Sequence, residues 1–419
     1  MFQFSDLTDR FEKNLASGAR PLALLSKKDR TLLAMSNDLS TWFHEKALPL
    51  WADRGFCFDE CRFIEGLCEN DQPIRLADNR ARIQPRQIYA FTSAWMRGWR
   101  GMSPEMIVSS LEWFTSRYRR SDGTFGNIVS AEGFLTDPRF DLYNQSFVLL
   151  MFAQMAQFQP KHKALFEAEA VSLLRAIKAG YTNAHGGYLS GPAAEGFMES
   201  NPHMHLFEAA LAWESVAKDN SVWRDLSDEI GALAIKRMID PSCGTLGEYF
   251  NSDWTPAPGT KGEIVEPGHQ FEWAWLLVRW AKRCNNPWAK KAALRQYKFG
   301  RKHGTSKLGL VMMSVGRDAA VIDPTARLWS QTEWLKAATL FAQDPSFSGQ
   351  HDFMSEIIRS LHAISAFLNT KENGSWIDRI DPNGHTLDAK APASSLYHIA
   401  SAVYELEDAL EGLTHLKHF

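Results

Sequence analysis

The chain has 419 residues, 45% of them hydrophobic and 23% charged, and a formal net charge of -3 at pH 7. This is material for a large buried core, and it excludes a basic nucleic-acid surface and an acidic tail; no overall field invites a phosphorylated substrate. Length alone suggests two or three domains, yet closed helical rings hold chains of this size in one unit.

The N-terminal stretch MFQFSDLTDRFEKNLASG alternates apolar with charged residues and lacks the uninterrupted apolar core of a signal peptide. No later run is apolar for the ~20 residues that a spanning helix needs. A cytoplasmic protein with neither membrane nor nucleic-acid partner is expected, and a homo-oligomer is allowed. Next come Cys57, Cys61 and Cys68, with Cys243 and Cys284 far apart from them. The cluster has no zinc spacing and no enclosed His, and its neighbours Phe56 and Phe63 suit buried thiols, so core cysteines are expected rather than a metal site.

Along the chain about a dozen amphipathic helical stretches follow one another in pairs. Within each pair lies a Gly-punctuated segment that reads as a small hairpin or irregular loop. RGFCFDECRFIE near Gly55 is the first; the others are SDGTFGNIVS near Gly123, HGGYLSG near Gly187, GTLGEYFNSDW near Gly247, KLGLVMMSVG near Gly309 and NGSWIDRIDPNG near Gly374. They recur at about 60 to 68 residues, room for two helices and their connections. Six such pairs predict an all-α closed (α/α)6 barrel, one catalytic domain over residues 1–419. An open solenoid is the alternative, but the final stretch SSLYHIASAVYELEDAL is amphipathic like its predecessors and offers no polar cap.

The second helix of each pair opens on unusual residues. PRQIYAF carries Arg86, DLYNQSF carries Tyr143, and NPHMHLFEAA carries Asn201 and His205. EPGHQFEWAW follows with His269 and Glu272, DPTARLWSQTEW with Arg327, Trp329, Gln331 and Glu333, and PASSLYHIA with His398. If these six helices form the inner ring, all the motifs open at one mouth, as a catalytic cleft requires. Taken singly each has a plainer reading. His205 could be a core histidine bonded to a carbonyl, Arg86 a surface guanidinium, and His269 with Glu272 an ion pair or two metal ligands. Recurrence at one position of the repeat is what core packing has no reason to arrange.

At these residues the chain resembles the N-acylglucosamine 2-epimerase superfamily, through ARIQPRQIYAF, NPHMHLFEAALA, EPGHQFEWAWLL, RLWSQTEWLKAA and SSLYHIASAVYEL. The resemblance spans nearly the whole chain. It implies an (α/α)6 barrel, with His269 and His398 as acid and base and Glu272 beside His269. Arg86, Asn201 and His205 would grip the sugar, Tyr143 and Glu333 matching further active-site positions. Arg327, Trp329 and Gln331 join them as candidate sugar contacts. Among superfamily members the likeness is greater to mannose and sulfosugar isomerases than to the animal epimerases, and no Gly-rich nucleotide loop supports ATP dependence.

The chemistry expected is interconversion of D-mannose and D-fructose through a cis-enediol. His398 would move the proton between carbons 2 and 1, and His269, tuned by Glu272, would assist ring opening. Arg86 would stabilise the enediolate. The substrate is a small monosaccharide, with no cofactor and no metal. A sugar 2-epimerase would use the same pocket. A glycoside hydrolase would need Glu272 and Glu333 to flank a bond, and a sugar-binding protein would leave two histidines without a task.

Overall fold

The computed structural model describes residues 26–68, 72–74, 78–370, 373–388 and 390–415. The N-terminal stretch read above for a signal peptide lies outside them. No helix among the described residues is long and apolar enough to cross a membrane.

Among the described residues twelve principal helices alternate between two rings. The outer ring holds α1 (Lys27–Trp42), α3 (Pro104–Tyr118), α5 (Lys163–Gly180), α7 (Ser221–Leu233), α9 (Pro287–His303) and α11 (Phe353–Leu368). The inner ring holds α2 (Ile83–Met96), α4 (Leu142–Phe158), α6 (Ser200–Val216), α8 (Pro267–Cys284), α10 (Leu328–Gln343) and α12 (Ser395–His415). Each inner helix packs on the next, and α12 packs on α2, so the ring closes. This is the (α/α)6 barrel, and closure removes the solenoid.

Two features depart from the expected pattern. Packing joins each of α2, α4, α6, α8 and α10 mainly to the outer helix that follows it rather than to the one across the hairpin segment, and α12 packs on α1 from the other end of the chain. Short turns such as Asn285–Asn286 make adjacent helices antiparallel neighbours, whereas the longer hairpin segments carry the chain across to the next pair. The inner helices are also not amphipathic in the surface sense. In α4 every residue but Tyr143 and Gln157 is buried, as expected for a helix enclosed on all sides.

The hairpin segments lie before the inner helices and join one another at one end of the ring. Strands 264–265, 312–316, 321–327, 379–380 and 386–388 form one antiparallel sheet, and 66–67 pairs with 391–392, linking the first and last inserts. A repeated side-chain clamp fixes each insert to its helix. Gln84, Gln145, Gln270 and Gln331 each accept the backbone N–H and donate to the C=O of one residue, respectively Phe63, Phe125, Leu246 and Val311. In the third repeat His203 Nε2 accepts the Tyr188 N–H instead. Leaving either buried backbone group unmet would cost about 1–3 kcal/mol.

Of the clustered cysteines only Cys57 is buried; Cys61 and Cys68 are partly exposed, because both lie in connecting turns rather than on a packed face.

Candidate active site

Two residues past each clamp the side chain points to the barrel axis. The clamp register puts Arg86, Phe147, His205, Glu272 and Glu333 at this position, and His398 holds it on α12. Above them lies a cavity of about 270 Å³. Of the residues expected at the site, Arg86, Tyr143, Asn201, His205, His269, Glu272, Arg327, Trp329 and His398 all line it. Gln331 does not: its amide is the buried clamp on Val311, so it holds the hairpin rather than a sugar. Glu333 lies behind the wall, fully buried, with its Oε1 2.8 Å from His398 Nδ1.

Three histidines have the same arrangement. His269 Nδ1 is 2.9 Å from Glu248 Oε2, His398 Nδ1 is 2.8 Å from Glu333 Oε1, and His205 Nδ1 is 3.2 Å from Glu208 Oε2. With each Nδ1 engaged, Nε2 is the nitrogen left for a ligand. The carboxylate behind His269 is therefore Glu248, with Glu266 at 3.6 Å, and not Glu272. At i+3 Glu272 is turned inward, 3.8 Å from His205, and neither of its oxygens finds a hydrogen-bond donor among the described residues. The Trp329 ring lies between the two site histidines, its centroid 5.0 Å from His269 and 5.7 Å from His398. Gly268 makes room for it, since a Cβ there would come within 2.7 Å of the indole.

Arg86 is fixed by donating to Tyr143 Oη and to the Ser394 carbonyl, and it lies 4.0 Å over the Phe147 ring. Asn201 presents an Oδ1 with no partner among the described residues.

The profile of the N-acylglucosamine 2-epimerase (GlcNAc 2-epimerase) family matches residues 63–402. A mannose-6-phosphate isomerase of Rhizobium meliloti (strain 1021) is 42% identical over 380 residues, covering 90% of this chain and 98% of that protein. The chain belongs to the N-acylglucosamine 2-epimerase family. A D-mannose isomerase of Marinomonas mediterranea is 23% identical over 342 residues, 77% of this chain and 84% of its own length. The cellobiose 2-epimerase of Bacillus thermoamylovorans B4167 superposes with a TM-score of 0.79 at 16% identity, over 90% of this chain and 100% of that one, and so shares the fold.

In this member of the family the two imidazoles on the cavity differ in charge, His269 cationic and His398 neutral. Burial opposes protonation of His269, but Glu248 and Glu266 overcome it and push the pKa up to about 10. At His398 burial, Arg86 and Lys336 all act against the proton and hold the pKa well below its usual 6.5. Burial also brings His205 down to about 4. Glu272 is driven well above the carboxylate range by burial and by Glu333, and burial with Glu248 raises Glu266 to about 7. Lys336, fully enclosed, pairs with Glu333 at 2.6 Å.

Three groups have the spacing a cation could use: His205, Glu208 and Glu272; Glu248, Glu266 and His269; and Glu272, Glu333 and His398, each with ligand atoms within 4.8 Å. In each group a histidine Nδ1 is already hydrogen-bonded to a carboxylate of the same group.

Glu208, Glu248, Glu266 and Lys336 were not among the residues singled out from the sequence. Glu208 could have been found, three residues after His205 on one helical face. Glu248 stands in a hairpin whose partner is decided only by the fold.

Proposed function

We propose that this protein is an aldose–ketose isomerase that interconverts D-mannose and D-fructose by histidine acid–base catalysis. The observation that carries the reading is the divergent charge of His269 and His398 on one cavity; titratable groups driven apart in this way take separate acid and base roles. As the C1–O5 bond breaks, cationic His269 gives its Nε2 proton to the ring oxygen and takes up the proton that O1 releases on becoming the carbonyl, which restores the cation. Neutral His398 then takes the proton from carbon 2 on its Nε2. The C2–H electron pair forms the C1=C2 bond, and the carbonyl pair moves to O1, which takes the Nε2 proton of His269 to give the cis-enediol. Arg86 stabilises the negative charge as it develops on that oxygen. Return of the proton from His398 to carbon 1, as the O2 proton passes to the now neutral His269, yields the ketose and restores both histidines. Both relatives found by sequence bear isomerase names.

A 2-epimerase needs two groups on opposite faces of carbon 2 that exchange roles between the forward and reverse reactions. Such groups work best with matched pKa values, and these two are far apart. A glycoside hydrolase needs two carboxyl groups flanking a bond, and Glu333 lies behind the cavity wall. Incubation with a panel of free aldoses and chromatographic identification of products tests the reading. Fructose from mannose without nucleotide is expected, and turnover of N-acetylated sugars alone, or only with ATP, would contradict it.

A further inference from the structure

Four guanidinium groups line the one cavity: Arg80, Arg82, Arg86 and Arg327. Three of them are committed. Arg80 pairs with Glu65 at 2.6 Å, Arg327 pairs with Asp378 at 2.9 Å, and Arg86 is held by Tyr143 and Ser394. Arg82 makes no side-chain hydrogen bond or ion pair among the described residues; its Nε is enclosed and unpartnered, and its guanidinium lies 5.3 Å from the centre of the Tyr143 ring. The acid near it, Asp141, is turned to the Tyr143 N–H and does not come within ion-pair distance.

A half-buried cation without a counter-charge within ion-pair distance is costly, and the cavity wall does not supply a free one. Glu266 lies 3.6 Å from cationic His269 and is committed to it, and burial with Glu333 drives Glu272 well above the carboxylate range. Arg82 also precedes α2, a helix that opens with no side-chain cap, so the helix end adds positive potential. A neutral sugar has no use for this surplus.

Arg82 stands one helical turn nearer the mouth than Arg86, about 6 Å along the axis of α2. If Arg86 holds the oxygen on carbon 1, that offset suits a substituent on carbon 6. We propose that Arg82 forms an anion subsite at the mouth of the pocket, which takes the tetrahedral oxyanion of a hexose 6-phosphate. The proposal rests on the isomerase reading for its chemistry and on Arg82 alone for its specificity. No new covalent step is involved: the phosphate is held and the same proton moves between carbons 2 and 1.

The test compares kcat/KM for D-mannose, D-mannose 6-phosphate and D-mannose 6-sulfate, in the wild type and in Arg82→Met, with calorimetric titration of both proteins by inorganic phosphate. The wild type should favour the 6-phosphate over free mannose by at least about tenfold, as a charge-assisted bidentate contact would allow. In Arg82→Met that ratio should fall to about one and phosphate binding should be lost. Arg82→Gln serves if the methionine variant does not fold. A wild-type ratio at or below one, or an unchanged ratio in the variant, overturns the subsite. Equal use of the 6-sulfate retains an oxyanion subsite but overturns its assignment to phosphate. If no sugar is isomerised, the isomerase reading fails by itself. The phosphate titration then still decides Arg82: weaker binding in the variant supports the subsite, and equal binding or none overturns it.

Discussion

His269 and His398 face one cavity from α8 and α12, each with a carboxylate on Nδ1, at 2.9 and 2.8 Å. By hydrogen bonding alone they are twins. Their charges nonetheless diverge, because of what stands behind each carboxylate. Glu248 is reinforced by Glu266, 3.6 Å from the same imidazole, so the negative field reaches His269 undiminished. Glu333 is paired with the buried cation Lys336, and Arg86 adds a second positive charge near His398. A carboxylate orients a histidine; the next charge along determines whether it holds a proton at pH 7.

Removing either ring should break the comparison most severely. His398→Asn and His269→Asn are each expected to lower kcat by at least about a hundredfold, with little change in the urea midpoint. A fully active His398→Asn enzyme would remove the base from the account.

Exchanging the second neighbours should bring the twins closer. Lys336→Met takes away a positive charge that holds the proton off His398, so the acid limb of the pH–rate profile should move upward, toward pH 6.5. Breaking a buried pair should also cost about 3–5 kcal/mol of stability. Folding loss with an unmoved acid limb would reduce Lys336 to a structural role. Glu248→Gln acts on the other histidine. In the proposed mechanism His269 serves as an acid only while protonated, so the alkaline limb should fall from near pH 10 toward neutrality. A limb that stays in place would mean that Glu266 alone sustains the charge.

The smallest effect is expected from chelation. The three groups with cation-like spacing are accounted for here as histidine–carboxylate pairs, so dialysis against EDTA should leave the rate unchanged. Loss of activity restored by zinc or manganese would show that a metal, and not a proton, is shared there.

The barrel was legible because hairpin glycines recur along the chain and the inner helices open on residues that core packing does not explain. Arg86, His205, Glu272, Glu333 and His398 each stand in a motif near the start of an inner helix, and those motifs together with the family resemblance singled them out. What lay between repeats was not legible. Glu248 and Glu266 come from the segments before α8, and nothing local marks them as partners of His269. Lys336 in QTEWLKAATL carries no local mark of its burial beside Glu333. Gln331 shares a polar motif with true wall residues, yet its amide serves a backbone. The net charge of -3 averaged over 419 residues concealed four arginines around one cavity.

The central claim is that one neutral histidine moves a proton between neighbouring carbons. Proton NMR of the products formed from D-mannose in heavy water tests it most directly. Solvent exchange on His398 while the enediol waits should place deuterium at carbon 1 of fructose, in one stereochemical position, with fructose the dominant early product. Glucose labelled at carbon 2 and accumulating ahead of fructose would contradict the account: His269 would then be a second carbon acid, and the reaction an epimerisation.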